Sequence, residues 1–229
     1  MTKQRKYTLD SMQLKLIGIA LTLVEAVALT FFSGEAQRTI CNILQFISYP
    51  AIGIFVFLLV EGWHNTGSLK RYALGLALAA VAAEPFYDYA CIGSWLNYGA
   101  SNGQNFLFSL LLCLFVLELL RAAEQSQKWK GFMIVSLILA IPFWAIMTNF
   151  HLSGIAMLLT VIFRLLREKP KARFYTALIA GTAFKLTGGL CAIPVHMYSG
   201  HRGAYNKYLF YGLYPVMWAV LAVVKMFTA

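Results

Sequence analysis

Charge is what this sequence has least of. Lys, Arg, Asp and Glu together make up 12% of 229 residues and only 9 are acidic, whereas 60% are hydrophobic and the mean hydropathy is +0.68. An ordinary water-soluble domain carries about 25% charged residues, so this chain cannot cover such a surface. It also lacks a solenoid repeat, a low-complexity segment and any polar stretch long enough for a separate soluble domain. Its four cysteines, Cys41, Cys91, Cys113 and Cys191, show no CxxC or Cys/His spacing, and His196 and His201 are not at zinc spacing, so no metal is expected. Cys113 reads as packing inside a span. Cys41, Cys91 and Cys191 fall near the outer ends of their expected helices, which leaves a disulfide between two of them open.

What is present is a succession of apolar runs. After a basic leader, Met1 to Gln13, the spans read Leu14 to Phe32, Cys41 to Glu61, Tyr72 to Ala90, Asn105 to Leu120, Gly131 to Thr148, Leu152 to Leu166, Phe174 to Ile193 and Lys207 to Phe227. Each is near the ~20 residues that cross ~30 Å of hydrocarbon. The expectation is an all-α polytopic bundle of about eight spans, a single integral membrane domain over residues 1–229 in the cell membrane. The first run is read as a span and not as a cleaved signal peptide, because apolar runs continue through the whole chain.

Orientation comes from the basic residues. With the amino terminus inside, the inner segments hold Lys3, Arg5, Lys6, Lys15, Lys70, Arg71, Arg121, Lys128, Lys130, Arg164, Arg167, Lys169, Lys171, Arg173 and Lys225; the outer ones hold Arg38, Arg202 and Lys207, and Lys185 lies within a span. This bias predicts both termini in the cytoplasm. The net charge of +10 is therefore read as a set of topology signals facing a lipid bilayer, not as a nucleic-acid surface. Pro50, Pro85, Pro142 and Pro215 mark expected kinks. Small residues crowd the third span (Gly75, Ala79, Ala83) and the seventh (Gly181, Gly188, Gly189), which predicts that those two helices are central.

Ionisable residues in apolar runs cost a few kcal/mol each and are the first candidates for function. Glu25 and Lys185 each lie about eleven residues into a span, ~16 Å deep, and are expected to face each other or a shared cavity, either as a packing pair or as part of a substrate site. Glu61 and His64 are three apart at the inner end of the second span. On one helix face the carboxylate would orient the imidazole as a general base; the alternative is a helix-end glutamate beside a surface histidine. Lys70 and Arg71 follow closely, with charges suited to phosphates. Glu84 and Asp88, beside Pro85, are within reach of Gln104 and Asn105, either as ligands for a substrate or as hydrogen bonds that repair the kink. The last loop carries His196, His201 and Arg202 among tyrosines, an aromatic interface belt that would also suit an anionic group.

The run IFVFLLVEGWHNT, then KRY, EPF and QNFLFSL, resembles the core of the TraX family, named for a conjugation protein that acetylates pilin. The matching positions are Glu61, Gly62, His64 and Thr66, then Asn105 and Phe108, then Ser199, Gly200, Arg202, Gly203, Phe210, Tyr211, Tyr214 and Pro215. The resemblance implies a membrane acyltransferase that moves an acetyl group from acetyl-CoA to an amine or hydroxyl of a peptide or glycan acceptor. For such an activity the residues read above supply the expected roles: catalysis from Glu61, His64 and Glu25, a donor site at Lys70 and Arg71, and substrate contacts from Glu84, Asp88, Asn105, Lys185, His196, His201 and Arg202. Four positions depart from the family pattern. Glu25-Ala26 stands where an Asp-His pair is usual, Asn149-Phe150 where Asp-Tyr is usual, Gly75 in place of an arginine and Met217 in place of a histidine. These losses keep open a second reading, a relative that has lost catalysis and binds a lipid or peptide in the same cavity.

Overall fold

The computed structural model describes residues 8–95, 103–126, 131, 153–204 and 207–228, the side chains of 153 and 207–209 excepted. The predicted fifth span, apart from Gly131, and leader residues 1–7 lie outside the described residues. The helices are α1 (Ser11–Phe31), α2 (Arg38–Ser48), α3 (Pro50–Asn65), α4 (Leu69–Ile92), α5 (Phe106–Gln125), α6 (Ser153–Leu165), α7 (Pro170–Phe184), α8 (Ala192–His196) and α9 (Lys207–Thr228), with 3-10 turns at Glu35–Gln37 and Gly188–Cys191. Ser11–Phe31, Glu35–Asn65, Phe106–Gln125 and Phe210–Thr228 are long and apolar enough to cross a membrane.

Local chemistry sets the helix ends. A capping box starts α1, with the Asp10 carboxylate accepting from the Gln13 backbone at 2.8 Å and Gln13 Oε1 accepting from the Asp10 backbone at 2.9 Å. Gly93, at φ 84°, closes α4 in the left-handed conformation that favours glycine. The second apolar run breaks at Tyr49, where Pro50 opens α3, while Pro85 and Pro215 sit inside continuous helices.

The central helix is α3, not the third or seventh span. Residues 50–54 and 56–60 are all buried, packed against α1, α5, α6 and the Gly188–Cys191 turn. α3 is apolar all round, and a helix of that kind belongs at the centre of a bundle. α4 has a small-residue face, but only one side of it is covered. Gly75 meets the ring of Tyr211 on α9, while Leu74, Leu78 and Val81 are about 60% exposed, on the order of what a lipid-facing row shows.

The seventh run does not cross the bundle. α7 ends at Phe184, Lys185 is extended (φ −144°, ψ 124°), and the chain folds back through the 3-10 turn and α8 until the His196 ring lies 5.1 Å from Phe174 near the start of α7. Glycines permit the return. A Cβ on Gly181 would lie 2.6 Å from the Gly189 nitrogen, and one on Gly189 would collide with Leu178 O and Thr182 Oγ1. The 15 residues of α7 rise about 22 Å, short of the ~30 Å hydrocarbon core. The run is long enough by hydropathy to be read as a span, and only its packing reveals a re-entrant hairpin.

That hairpin changes the topology. The loop after α8 hydrogen-bonds the chain entering α1, with Leu9 N donating to Met197 O (2.8 Å), Ser199 N to Leu9 O (2.8 Å) and Ser11 N to His201 O (3.0 Å). Arg202 and His201 therefore share an end with the start of α1, not the opposite one. α9 then runs parallel to α4, from Tyr211 beside Gly75 to Lys225 Nζ on Ala90 O (2.7 Å). The described chain thus begins and finishes at opposite ends of the bundle, which corrects the expectation of both termini on one side. A cysteine placed at His201 is expected to react from the same face of the membrane as one at Lys70, and one at Thr228 from the other face. Labelling of His201→Cys and Thr228→Cys from a common face would refute this arrangement.

The four cysteines are free and buried, so the disulfide left open by the sequence is not formed. Each faces a different helix contact. Cys41 donates to Ala28 O, and Cys191 fills the space that glycine leaves at position 53.

Candidate functional site

A cavity of about 580 Å³ opens at the Glu61 end and runs into the bundle between α1, α3, α4, α5 and α9. Its mouth is polar. It gathers Ser11 and Lys15 from the start of α1, Glu61, Gly62, Asn65 and Thr66 from the end of α3, Tyr72 from α4, and Tyr198, Gly200 and Arg202 from the loop after α8. The deeper walls are apolar and aromatic, including Ile19, Phe55, Leu76, Phe106, Leu110 and Met217. Two glycines of the loop, Gly200 (φ 82°) and Gly203 (φ 72°), turn it back over the α1 start, where Gly203 packs on the Asp10 carboxylate. Lys15 Nζ lies 4.9 Å from the centroid of the Phe210 ring.

Beyond the floor lies a second space of about 20 Å³, lined by Thr22, Glu25, Leu29, Ala51, Ile52, Phe55, Tyr87, Phe106, Tyr214 and Trp218. Thr22, Phe55, Phe106 and Tyr214 also line the large cavity, so these four side chains form the partition. Glu25 thus stands behind the floor, ten residues and ~15 Å along α1 from Lys15. Lys185 is not its counterpart. It is exposed at the tip of the hairpin, with Nζ 4.8 Å from the Tyr49 ring, and makes no ion pair with Glu25.

Glu61 and His64 lie on one helix, since α3 continues unbroken through Gly62 to Asn65. The expected dyad is nonetheless not formed. Both Glu61 oxygens accept from Arg167, at 3.0 Å from Nε and 3.4 Å from Nη2, while His64 is exposed and outside the cavity wall. The hydrogen bond to Glu61 pushes the Arg167 pKa above its ordinary value. Arg173 donates to Arg167 O (3.5 Å) and lies over Phe57, and its burial pushes its own pKa down. Nearby, Trp63 Nε1 donates to Glu118 (2.6 Å), and Arg164, paired with Glu124 at 2.5 Å, covers the Trp63 ring. These contacts fasten the α6–α7 loop to α3 and α5. Because the Arg167 and Glu61 side chains are 26% and 13% exposed, removal of either partner is expected to cost about 1–2 kcal/mol of stability. His64→Ala should stay within about 0.5 kcal/mol of the parent. Thermal unfolding in detergent measures both, and an unchanged midpoint for Arg167→Ala would show the pair to be idle.

Glu84 and Asn105 do meet, but as structure. Asn105 is fully buried and caps α5, its Oδ1 accepting from Leu107 N (3.0 Å) and its Nδ2 donating to Ala80 O (2.9 Å) and Glu84 Oε2 (2.5 Å). Asp88 is buried one turn further along α4. None of the three lines either of these two cavities, and the hydrogen bonds join α4 to the start of α5, the structural one of the two readings left open for this cluster. Lys70 and Arg71 are exposed at the start of α4, just before Tyr72. His196 packs on Phe174, His201 is exposed, and Arg202 alone of that trio lines the cavity. Sequence reasoning missed Arg167, Tyr72, Tyr198 and Trp218 as site residues. Arg167 could have been sought as a cation near Glu61, but nothing in the local sequence marks Trp218.

A family model described as TraX protein matches residues 10–225. A probable fimbrial assembly protein FimC, serogroup H1, of Dichelobacter nodosus is 27% identical over 250 residues, an alignment covering 97% of this chain and 98% of that protein. No solved structure matches.

Proposed function

Because this chain belongs to the TraX family, we propose that it is an integral membrane acyltransferase, moving an acetyl group from acetyl-CoA to an amine or hydroxyl of a peptide or glycan acceptor. The observation that carries this reading is the large cavity itself, with a cationic mouth, apolar walls and a carboxylate behind its floor. Such a mouth suits an anionic group and such walls suit an extended, weakly polar arm. Lys15 and Arg202 would meet the phosphates of the donor, with Lys70 and Arg71 extending the positive rim. Most of the described basic residues gather at this end, which supports a mouth on the cytoplasmic side, where acyl-CoA is available.

Glu25 is then the base. The acceptor oxygen or nitrogen attacks the thioester carbonyl and gives its proton toward Glu25; the carbon–sulfur bond breaks, and the proton held by Glu25 passes to the departing thiolate, which restores the carboxylate. The similarity to a fimbrial assembly protein supports an acceptor exported to a surface fibre. A second reading has its own support. Glu61 is held by Arg167, His64 lies outside the cavity and Glu25 is partitioned from it, an arrangement that suits a binding protein for a lipid or peptide.

Labelled acetyl-CoA decides between them. Purified protein in detergent is expected to bind the donor and slowly hydrolyse it, with binding at least tenfold weaker in Lys15→Ala and Arg202→Ala, a loss of about 1.4 kcal/mol. Absence of both binding and hydrolysis in the parent protein would remove the acyltransferase reading.

A further inference from the structure

Lys185 is an exposed cation set among apolar side chains. The tip of the re-entrant hairpin is fastened to the α2–α3 run, with Thr187 Oγ1 donating to Phe46 O and the Lys185 ammonium 4.8 Å from the centroid of the Tyr49 ring. That run, Glu35–Asn65, is long and apolar enough to cross a membrane. The depth of Lys185 is therefore set by this neighbour and not by its place in its own apolar run. Tyr49 stands eleven residues from Arg38 and sixteen from Asn65, ~16 Å and ~24 Å from the two polar ends. Neither distance is one that the four methylenes of a lysine can span to carry the ammonium to the headgroups. The surface around it is apolar, with Phe184, Leu186 and Leu190 on the hairpin and Ile43, Phe46 and Ile47 on α2 all exposed.

Lipid tails leave two needs of this tip unmet. An ammonium carries three donors, and a ring face attracts its charge without pairing it. Lys185 makes no ion pair or side-chain hydrogen bond among the described residues. The backbone is irregular at the same place: Lys185 is extended, and neither backbone group of Leu186 has a hydrogen-bonded partner among the described residues. At membrane depth, charges and non-helical backbone persist only where protein or water covers them. A second copy of this chain offers no carboxylate at this depth, because Glu84 is bonded to Asn105, Asp88 is buried and Glu25 lines the inner space. We propose that the hairpin tip and the adjoining face of α2 form a docking site for an apolar transmembrane helix of another protein, one that carries a carboxylate near its own middle. An acid in mid-helix bears the same cost as Lys185, so pairing relieves both. Its two oxygens give acceptors enough for the ammonium and an amide beside it. Ile43, Phe46 and Ile47, at i, i+3 and i+4, supply the row on which such a helix packs. None of these residues lines the large cavity, and the site does not depend on the acyltransferase reading.

The test uses the whole protein in phosphatidylcholine vesicles and, as probe, a dye-labelled, lysine-flanked polyleucine helix of about 20 residues with one central Glu. Energy transfer from the protein's tryptophans to the dye reads association. The Glu peptide is expected to half-saturate at a peptide-to-lipid ratio at least tenfold lower than its Gln counterpart. Lys185→Met should abolish that difference and Lys185→Arg should keep it. Equal half-saturation of the two peptides on the unaltered protein would overturn the site, and this comparison needs no variant to fold. A preference that survives in Lys185→Met would overturn it as well. Two further measurements separate the other occupants. A water-soluble amine reagent applied to both faces of the peptide-free protein should modify Lys70 and spare Lys185; equal modification would place Lys185 among lipid headgroups and refute the proposal. Energy transfer between two labelled copies that disappears in Lys185→Met would make the partner a second copy and refute it too. No step uses acetyl-CoA, so this outcome and that of the donor-binding experiment are read separately.

Discussion

Glu25→Gln is expected to lower acyl transfer by ~10²-fold or more while leaving acetyl-CoA binding unchanged, the loss typical of removing a general base. The change preserves volume and replaces only the charge and one oxygen, so the floor of the cavity keeps its shape. Binding should survive because the groups that would hold the donor, Lys15 and Arg202, stand at the mouth, ~15 Å away along α1. His64→Ala is the informative companion. His64 is exposed and outside the cavity, so transfer should persist in that variant. Full turnover in Glu25→Gln together with a large loss in His64→Ala would reverse the assignment and restore the base to the end of α3. Single-turnover transfer with labelled donor, run beside equilibrium binding, gives both numbers.

Gly53→Ala should be the most damaging small substitution in the core. The added Cβ would stand 2.6 Å from the Cys191 Cβ and collide with its sulfur, where α3 meets the re-entrant hairpin. Overpacking of this kind costs about 1–3 kcal/mol, because a close-packed interior has no free volume to absorb a methyl group. The compensating change is specific. Cys191→Gly removes both offending atoms and should recover most of the loss, whereas Cys191→Ala keeps the Cβ and should recover little. Equal recovery by the two would place the strain elsewhere, and thermal unfolding of the parent and the three variants reads it directly. Because the hairpin also positions Tyr198 and Arg202, Gly53→Ala should weaken donor binding in step with stability.

Some features were legible because they depend on local composition alone. Apolar runs and basic clusters are written in single segments, so the helical class and the membrane character could be read directly, whereas α1 and α4 start at Ser11 and Leu69, ahead of the apolar runs read from Leu14 and Tyr72. Glu61 and Glu25 stood out as acids inside apolar runs, and both contribute to the cavities. Their partners were not legible. Lys185 lies as deep in its run as Glu25 in its own, but depth along a run becomes depth in a membrane only if the run crosses it, and α7 stops short. His64 has the spacing of a dyad with Glu61, yet a cation 106 residues away in sequence takes both carboxylate oxygens.

The sequence by itself determined that this chain forms apolar helices suited to a membrane, since so few charges leave no other solvent. Tertiary structure alone decided which runs cross and which turn back. Hydropathy measures transfer from water to an apolar medium and is the same for a spanning helix and a hairpin; what separates them is the close approach of Gly181 to Gly188 and Gly189, a contact between residues, not a property of any one. That single reversal brought the Arg202 loop round to Lys15 and Glu61. The cavity exists because of it, and its wall joins residues as distant in the chain as Ser11 and Met217, which come together only when α1 and α9 pack.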